Sequence, residues 1–426
     1  MTYIEFFDPL ASENICACLT YAPDRVIYIG GNSKLMNKHI DNYKKVFDGI
    51  KRKSIEFSCV TVDKKKLDEV VKLLSEIVIA SDDCVFDITG GDEMMLFALG
   101  IVYAMHPEKN IQIHKFNLKN NAIYDYDQDG VTIYKDTPTL SIDENIRIYG
   151  GEVAYTENIE EEKTYKWDLS HDFLNDINLI WDICKNDVRG WNKQMFMLEA
   201  FESVGTKNNG GLTTVASKTA VINHLAKQKT SKNKKIEYTF DNEIISGLLR
   251  GKLLTYFHDD EENVTVSYKN KQVKKCLTKA GQALEMKIYT LAKSILDKNG
   301  VPVYDDALNG VVIDWDGELH EDSEEKTYDT KNEIDVMLMH DVVPVFISCK
   351  NGEVSEEELY KLNTVAERFG GEYSKKVLIA TSLYDLGDKG EYIRQRAKDM
   401  NIKIIEKVQD MDDSELKKEL KNRWSN

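Results

Sequence analysis

The residues best able to do chemistry lie in one late stretch. Asn332-Glu333-Ile334-Asp335-Val336-Met337-Leu338-Met339 is followed by His340-Asp341 and then by Val342-Val343-Pro344-Val345-Phe346-Ile347-Ser348-Cys349-Lys350. Two short apolar runs around a polar dipeptide spell a β-hairpin. Asp335 stands on the first strand and Lys350 closes the second, and residues near the open end of a hairpin come close enough to share a site. Such a pair suits metal-assisted phosphodiester hydrolysis. The acid holds a hard cation, Mg²⁺ or Mn²⁺, that polarises the phosphate and acidifies a water. The lysine orients that water or offsets charge building on phosphate oxygens. Two residues alone fit an ordinary hairpin with solvated ends equally well, so the surrounding elements must decide.

Those elements read as a compact, independent C-terminal unit. Lys279–Asn299 is predicted helical, with Leu284, Ile288, Leu291, Ala292 and Ile295 inward. Glu285 borders that stripe, either as amphipathic rim or, beside the hairpin, as a second metal ligand. Val311–Trp315 is a strand, and residues 316–331 form an acidic loop. After the hairpin, Ser355–Phe369 is a helix closed by Gly370-Gly371, and Val377–Ala380 is the final buried strand. Glu333 is expected on the strand face opposite Asp335. The Cys349 side chain is expected to point away from the site.

The chain has 426 residues, 30% of them charged, and a formal net charge of −17. That length implies two or three domains, divided as 1–145, 146–274 and 275–426. Overall acidity argues against a protein that coats nucleic acid non-specifically, while leaving room for a local basic channel. The seven cysteines are odd in number, scattered and without a Cys-x-x-Cys pair. A zinc knuckle or disulfide framework is therefore not expected, and a reducing cytoplasm is. No signal peptide or membrane-length apolar run is visible, so a soluble cytoplasmic protein without membrane contact is expected.

The first 140 or so residues alternate in period. Strands are predicted at Thr2–Phe7, Arg25–Ile29, Ser54–Val62, Cys84–Ile88 and Ile111–Leu118. Helices are predicted at Ala11–Tyr21, Leu35–Phe47 with Ser33 as cap, Lys66–Ala80 and Met95–Met105. This rhythm implies right-handed crossovers and a mostly parallel sheet, which binds ligands beyond its carboxyl strand ends. Gly30-Gly31 and Gly90-Gly91 lie at two of those ends, each leading into a helix, where bare amides can hold a phosphate. They serve equally as plain turns. Dinucleotide and phosphate-loop fingerprints do not follow.

Residues 120–165 read as β-structure and an acidic connector broken at Glu160-Glu161-Glu162. Leu169–Cys184 and Ser217–Lys227, capped by Ser217, read as helices. Leu248–His258 with Val264–Tyr268 reads as a hairpin. Between them, Lys229-Thr230-Ser231-Lys232-Asn233-Lys234-Lys235 is the most basic short run, either a solvated loop or a guide for a nucleic-acid strand.

Asp87-Ile88-Thr89-Gly90-Gly91 followed by a helix, after a strand–Asp8-Pro9–helix opening, resembles the CRISPR-associated Rossmann-fold (CARF) sensor domain. The C-terminal order, with Ala280-Gly281-Gln282-Ala283-Leu284-Glu285, Asn332-Glu333-Ile334-Asp335, Cys349-Lys350-Asn351-Gly352 and Glu367-Arg368-Phe369-Gly370-Gly371, resembles the PD-(D/E)XK nuclease half of CARF-fused CRISPR ancillary nucleases. The implied fold is α/β: a Rossmann-like CARF domain, a small winged-helix-like linker, and a restriction-endonuclease-like domain. The resemblance implies a homodimer that binds a cyclic oligoadenylate, above all cyclic tetra-adenylate, and then cleaves DNA and/or RNA in type III CRISPR defence. It gives ligand contacts to Asp8, Pro9 and Leu10, to Gly30, Gly31, Asn32 and Ser33, and to Thr89, Gly90, Gly91, Asp92, Glu93 and Met94.

Two departures stand out. Asp92-Glu93 follows the glycine pair where the family often has small, hydroxyl or basic residues, and carboxylates beside an anion are costly unless they accept hydrogen bonds. Twelve residues separate Asp335 from Ser348, which stands where the family usually has an acid. Glu285 is then expected as the replacement carboxylate, the Cys349 carbonyl completes the metal site with Asp335, and Ser348 sits behind the ligands or binds a metal-bound water. The alternative is a catalytically weakened, ligand-responsive nucleic-acid-binding regulator.

Overall fold

Apolar strands separated by amphipathic helices give the N-terminal part a sheet covered on both faces. In this computed structural model the described residues are all except 11, 13, 50–54, 82, 119–120, 128–129, 135–138, 228–237, 318–330, 384–386 and 422–426. The elements are β1 (Thr2–Phe6), α1 (Cys16–Tyr21), β2 (Arg25–Gly30), α2 (Ser33–Gly49), β3 (Glu56–Thr61), α3 (Leu67–Ala80), β4 (Cys84–Asp87), α4 (Glu93–Met105), β5 (Ile111–Asn117), β6 (Ala122–Asp127) and β7 (Gly130–Tyr134). Their order in the sheet is β3-β2-β1-β4-β5-β6-β7, parallel from β3 to β5 and antiparallel beyond. Chain direction across the sheet reverses between β1 and β4, which opens a crevice at their carboxyl ends. Ser33 is not the cap of α2. It is the first helical residue, and the Asn32 side chain accepts from the Leu35 amide at 3.1 Å.

The connector read as β-structure contains a helix, α5 (Ile142–Ile148), closed by a Ser141/Glu144 capping box. Its seven residues are too few to show a period. Short strands β8 (Glu152–Val153), β9 (Tyr155–Thr156) and β10 (Thr164–Tyr165) follow. The middle comprises α6 (His171–Asn186), α7 (Val188–Val204), β11 (Thr206–Asn208), β12 (Thr213–Ser217), α8 (Lys218–Lys227), α9 (Asn242–Arg250), β13 (Leu254–Asp259), β14 (Asn263–Tyr268) and α10 (Lys271–Leu277). Helices flank an antiparallel sheet of order β11-β12-β14-β13, a winged-helix-like arrangement. The hairpin is β13–β14 and begins at Leu254, because Asp241 caps a helix over Asn242–Arg250. Sequence reading missed α7 altogether. The basic run Lys229–Lys235 lies outside the described residues.

The C-terminal part holds α11 (Gln282–Lys293), β15 (Asp306–Asp314), β16 (Lys331–His340), β17 (Val343–Lys350), α12 (Glu356–Gly370), β18 (Lys375–Ala380), α13 (Asp388–Asp399), β19 (Ile402–Glu406) and α14 (Asp413–Lys421). The sheet order is β19-β18-β17-β16-β15-β8, so Val377–Ala380 is not the last strand and the far edge comes from the connector. β15, β16 and β17 are antiparallel, whereas β17, β18 and β19 are parallel. The β16–β17 turn pivots on Asp341, with φ +56°.

One face of this sheet (Val336, Leu338, Val345, Ile347, Cys349) packs on α11 and the middle helices. The other (Met337, Met339, Phe346, Leu378) packs on α12. That second core runs without a break through Ile142, Ile146 and Ile148 into Tyr3, Tyr28, Met36 and Ile40 of the N-terminal part. The expected independence of the C-terminal core is therefore not found. Polar contacts cross the same seam: Asn145 Nδ2 donates to the Phe369 carbonyl at 2.8 Å and the Ile142 amide to Asp306 Oδ2 at 2.9 Å. Among the described residues, no helix is long and apolar enough to cross a membrane.

Candidate functional site

The β16–β17 ladder stops at Val336–Ile347. Asp335, one residue further, takes the place of the missing rung. Its Oδ2 accepts from the Cys349 amide at 2.7 Å and from the Ser348 hydroxyl at 3.2 Å. On the other side, Asn309 Nδ2 donates to the Asp335 carbonyl, and Asn309 Oδ1 accepts from Gln282 Nε2, both at 2.9 Å. The first turn of α11 is thereby tied to the parted strand end. Lys350 Nζ lies 3.9 Å from Asp335 Oδ2 and 2.9 Å from Glu358 Oε2 at the start of α12.

Glu285, in the first turn of α11, is only 3% exposed. Lys279 Nζ stands 3.6 Å from its Oε2 and 2.7 Å from Glu333 Oε1. The expectation that Glu333 faces away from Asp335 fails for a simple reason. Strand side chains repeat every two residues, so positions 333 and 335 share a face, and both line one hollow of about 250 Å³ with Ser348, Lys350 and Glu358. Across Glu333 lies a larger groove of about 1270 Å³, bordered by Lys163, Lys275 and Lys279 and equally by Glu161, Glu162 and Glu199.

Burial, and then the charge of Asp335, push the Glu285 carboxyl up to about 8. Burial also raises Asp335, against the pull of Lys350 and the Cys349 amide. For Lys350 burial opposes the charge, but Asp335 and Glu358 outweigh it and hold the ammonium above its usual range. Two carboxyls are thus forced together in a place that penalises their charge, the setting in which a divalent cation is most favoured.

The donor set fits such a cation. Glu285 Oε2 is buried without a hydrogen-bond partner. In a strand, one residue's N–H and C=O point to the same edge. The Cys349 amide faces Asp335, so its carbonyl does too, while the Lys350 carbonyl turns to the opposite edge and accepts from Thr381 at 3.2 Å. The Cys349 side chain is buried in the core beneath α11, and after burial itself the nearby Asp335 and Glu285 carboxylates raise its thiol, so it does not turn away from the site as expected. Oxygen ligands from Glu285, Asp335 and Cys349 match Mg²⁺ or Mn²⁺.

Sequence reading missed Lys279, Gln282, Asn309 and Glu358. Lys279 and Gln282 sit one to two turns before Glu285, a spacing that could have flagged them. Glu358 looked like any acid in a helix first turn, and Asn309 carried no signal.

The thirteen residues assigned to ligand contact gather at the carboxyl ends of β1, β2 and β4. Asn14 pins the first loop: its Oδ1 accepts from the Asp8 amide at 2.9 Å, and its Nδ2 donates to the Asp8 and Leu10 carbonyls. Pro9 is exposed at the tip. Gly90 and Gly91 press on β1, where an added Cβ would stand 2.7 Å from the Phe6 carbonyl oxygen or 2.6 Å from Phe6 Cβ. Gly91 also has φ +94°. Thr89 hands its amide to Asp87 at 2.7 Å. Asp92 caps α4 through the Met95 amide and pairs with Lys64 at 3.2 Å, so its charge is already offset. Glu93 and Met94 are exposed. Gly31, Lys64 and Lys65 border an open hollow of about 780 Å³; the two lysines had escaped sequence reading. Gly30 is buried, while Asn32 and Ser33 are exposed.

No protein-family model matches the chain, and no curated protein does. Solved structures share its fold along its whole length. Protein VC1899 from Vibrio cholerae superposes with a TM-score of 0.71 at 14% identity, covering 99% of this chain and 97% of that one. Can2 from Sulfobacillus thermosulfidooxidans, solved in complex with cyclic tetra-adenylate, superposes with a TM-score of 0.64 at 15% identity, covering 100% and 99%. The chain shares their α/β architecture over its whole length.

Proposed function

We propose that this protein is a cyclic-oligoadenylate-activated, metal-dependent nuclease of type III CRISPR defence with a PD-(D/E)XK-type site, acting on DNA and/or RNA. The observation that carries this reading is the convergence of Glu285, Asp335 and Lys350 on the parted end of one hairpin. The full-length fold likeness to Can2, solved with cyclic tetra-adenylate, supports the activator part of the reading.

Glu285, Asp335 and the Cys349 carbonyl would hold Mg²⁺ or Mn²⁺, which when bound polarises the scissile phosphate and acidifies the attacking water. The Ser348 hydroxyl fixes the Asp335 carboxylate. Lys350 Nζ, held by Asp335 and Glu358, orients the water and offsets charge on the pentacovalent phosphate. Glu358 positions that ammonium without contacting substrate.

At the other end, Asp8–Leu10, Gly30–Ser33 and Thr89–Met94 bind the cyclic activator, cyclic tetra-adenylate by the Can2 comparison, with Lys64 and Lys65 as phosphate contacts. A homodimer is supported by α4. One face of that helix (Met95, Ala98, Leu99, Val102) covers the sheet, yet the opposite face keeps Phe97 60% and Met105 56% exposed. A helix apolar on all sides belongs in an interface, and this one starts at the glycine pair. The domain limits 1–145, 146–274 and 275–426 remain part of this proposal.

The test is incubation of a plasmid and a labelled RNA with Mn²⁺, with and without cyclic tetra-adenylate. Cleavage that needs both additions is expected. Nucleic-acid binding without cleavage under any activator would replace the enzyme by the regulator.

A further inference from the structure

Lys279 does not belong to the hydrolytic set above, yet it sits inside it. Its ammonium bridges two acids, 2.7 Å from Glu333 Oε1 and 3.6 Å from the Glu285 oxygen that lacks a hydrogen bond. A divalent ion needs direct contact with that oxygen, at about 2.0–2.6 Å. Lys279 and Glu333 reach solvent, but the Glu285 carboxyl between them and the core is only 4% exposed, so ion and ammonium would compete for the one approach to its unpartnered oxygen.

The geometry points to Lys279 as a resident counter-cation that must leave Glu285 before a metal loads. This rests on the metal-site reading above. The residue has somewhere to go. It precedes the α11 N-cap, Gly281, and it borders the groove of about 1270 Å³ across Glu333. Lysine carries four rotatable side-chain bonds, so rotamer changes alone carry the ammonium from the acids into the groove. The residue thus offsets the repulsion between the empty acids until a metal takes its place.

The test is manganese binding by the full-length protein without nucleic acid, followed calorimetrically and by loss of the free Mn²⁺ paramagnetic signal. K279M and K279Q are expected to bind Mn²⁺ roughly tenfold more tightly than the native protein. K279R, which keeps the charge, is expected within about threefold of native affinity. D335A is the control and loses binding in either background. Two neutral variants guard against a folding defect in one, and each is assayed below its own unfolding temperature. Unchanged or weaker Mn²⁺ binding in both neutral variants, with D335A still abolishing it, would overturn the role of Lys279 alone. Native-like Mn²⁺ binding by D335A would instead overturn the metal site.

Discussion

Asp335 Oδ2 accepts the backbone N–H of Cys349 at 2.7 Å, a side chain standing in for a strand-to-strand rung. One oxygen is spent on holding the two strand ends in register, and the acid is fixed relative to Lys350. D335A and K350A are therefore expected to lower cleavage by about two to three orders of magnitude or more, with calorimetric binding of cyclic tetra-adenylate unchanged. Undiminished cleavage in both variants would refute the assignment.

The raised pKa of Glu285 gives two pH signatures of opposite sense. A carboxyl held near 8 in the fold, against about 4.3 in the unfolded chain, favours the metal-free fold while protonated. That contribution is full below the unfolded value and is lost as pH rises through the folded one. Thermal stability without metal should fall between about pH 4.5 and 8. Mn²⁺ affinity should rise over the upper part of the same range, because the ion must expel that proton. Both slopes should flatten in E285Q.

Ser348 contributes one hydrogen bond to Asp335, and the Cys349 amide remains without it. S348A is expected to cost only a few-fold in cleavage rate, corresponding to about 1 kcal/mol. S348D, which returns an acid to this position, should tighten Mn²⁺ binding in a titration. A fall in affinity would show that the hollow beside Asp335 cannot take another carboxylate.

At the sensor end, Gly90 leaves no room for a methyl group, because the nearest atom is the backbone oxygen of Phe6. G90A should destabilise by about 1–3 kcal/mol and weaken activator binding, read by thermal unfolding and calorimetry. F97D should leave the monomer folded and shift a dimer to monomer in sedimentation. A native F97D dimer would place the two-fold axis elsewhere.

Much of this architecture was legible from period and punctuation. The hairpin, its Asp341 turn and the Glu285 helix were visible because apolar runs and polar breaks coincide there. The alternation of the first half gave the parallel sheet for the same reason. What stayed hidden depends on contacts distant in sequence. α5 is too short to show a period. α7 carries Gly190 in its first turn, where Asp187 caps it. Lys279 and Glu358 acquire meaning only once two helices are brought to the same strand ends. The misplacement of Glu333 was different in kind, since the two-residue repeat was there to be counted.

The seam formed by Ile142, Ile146 and Ile148 also limits how the halves can be parted. Cutting near residue 145 would expose oily surface on both products, so each fragment alone should clump rather than behave as a tidy module. Exchanging one sensor for another would require rebuilding that strip of isoleucines as well as the ligand loops.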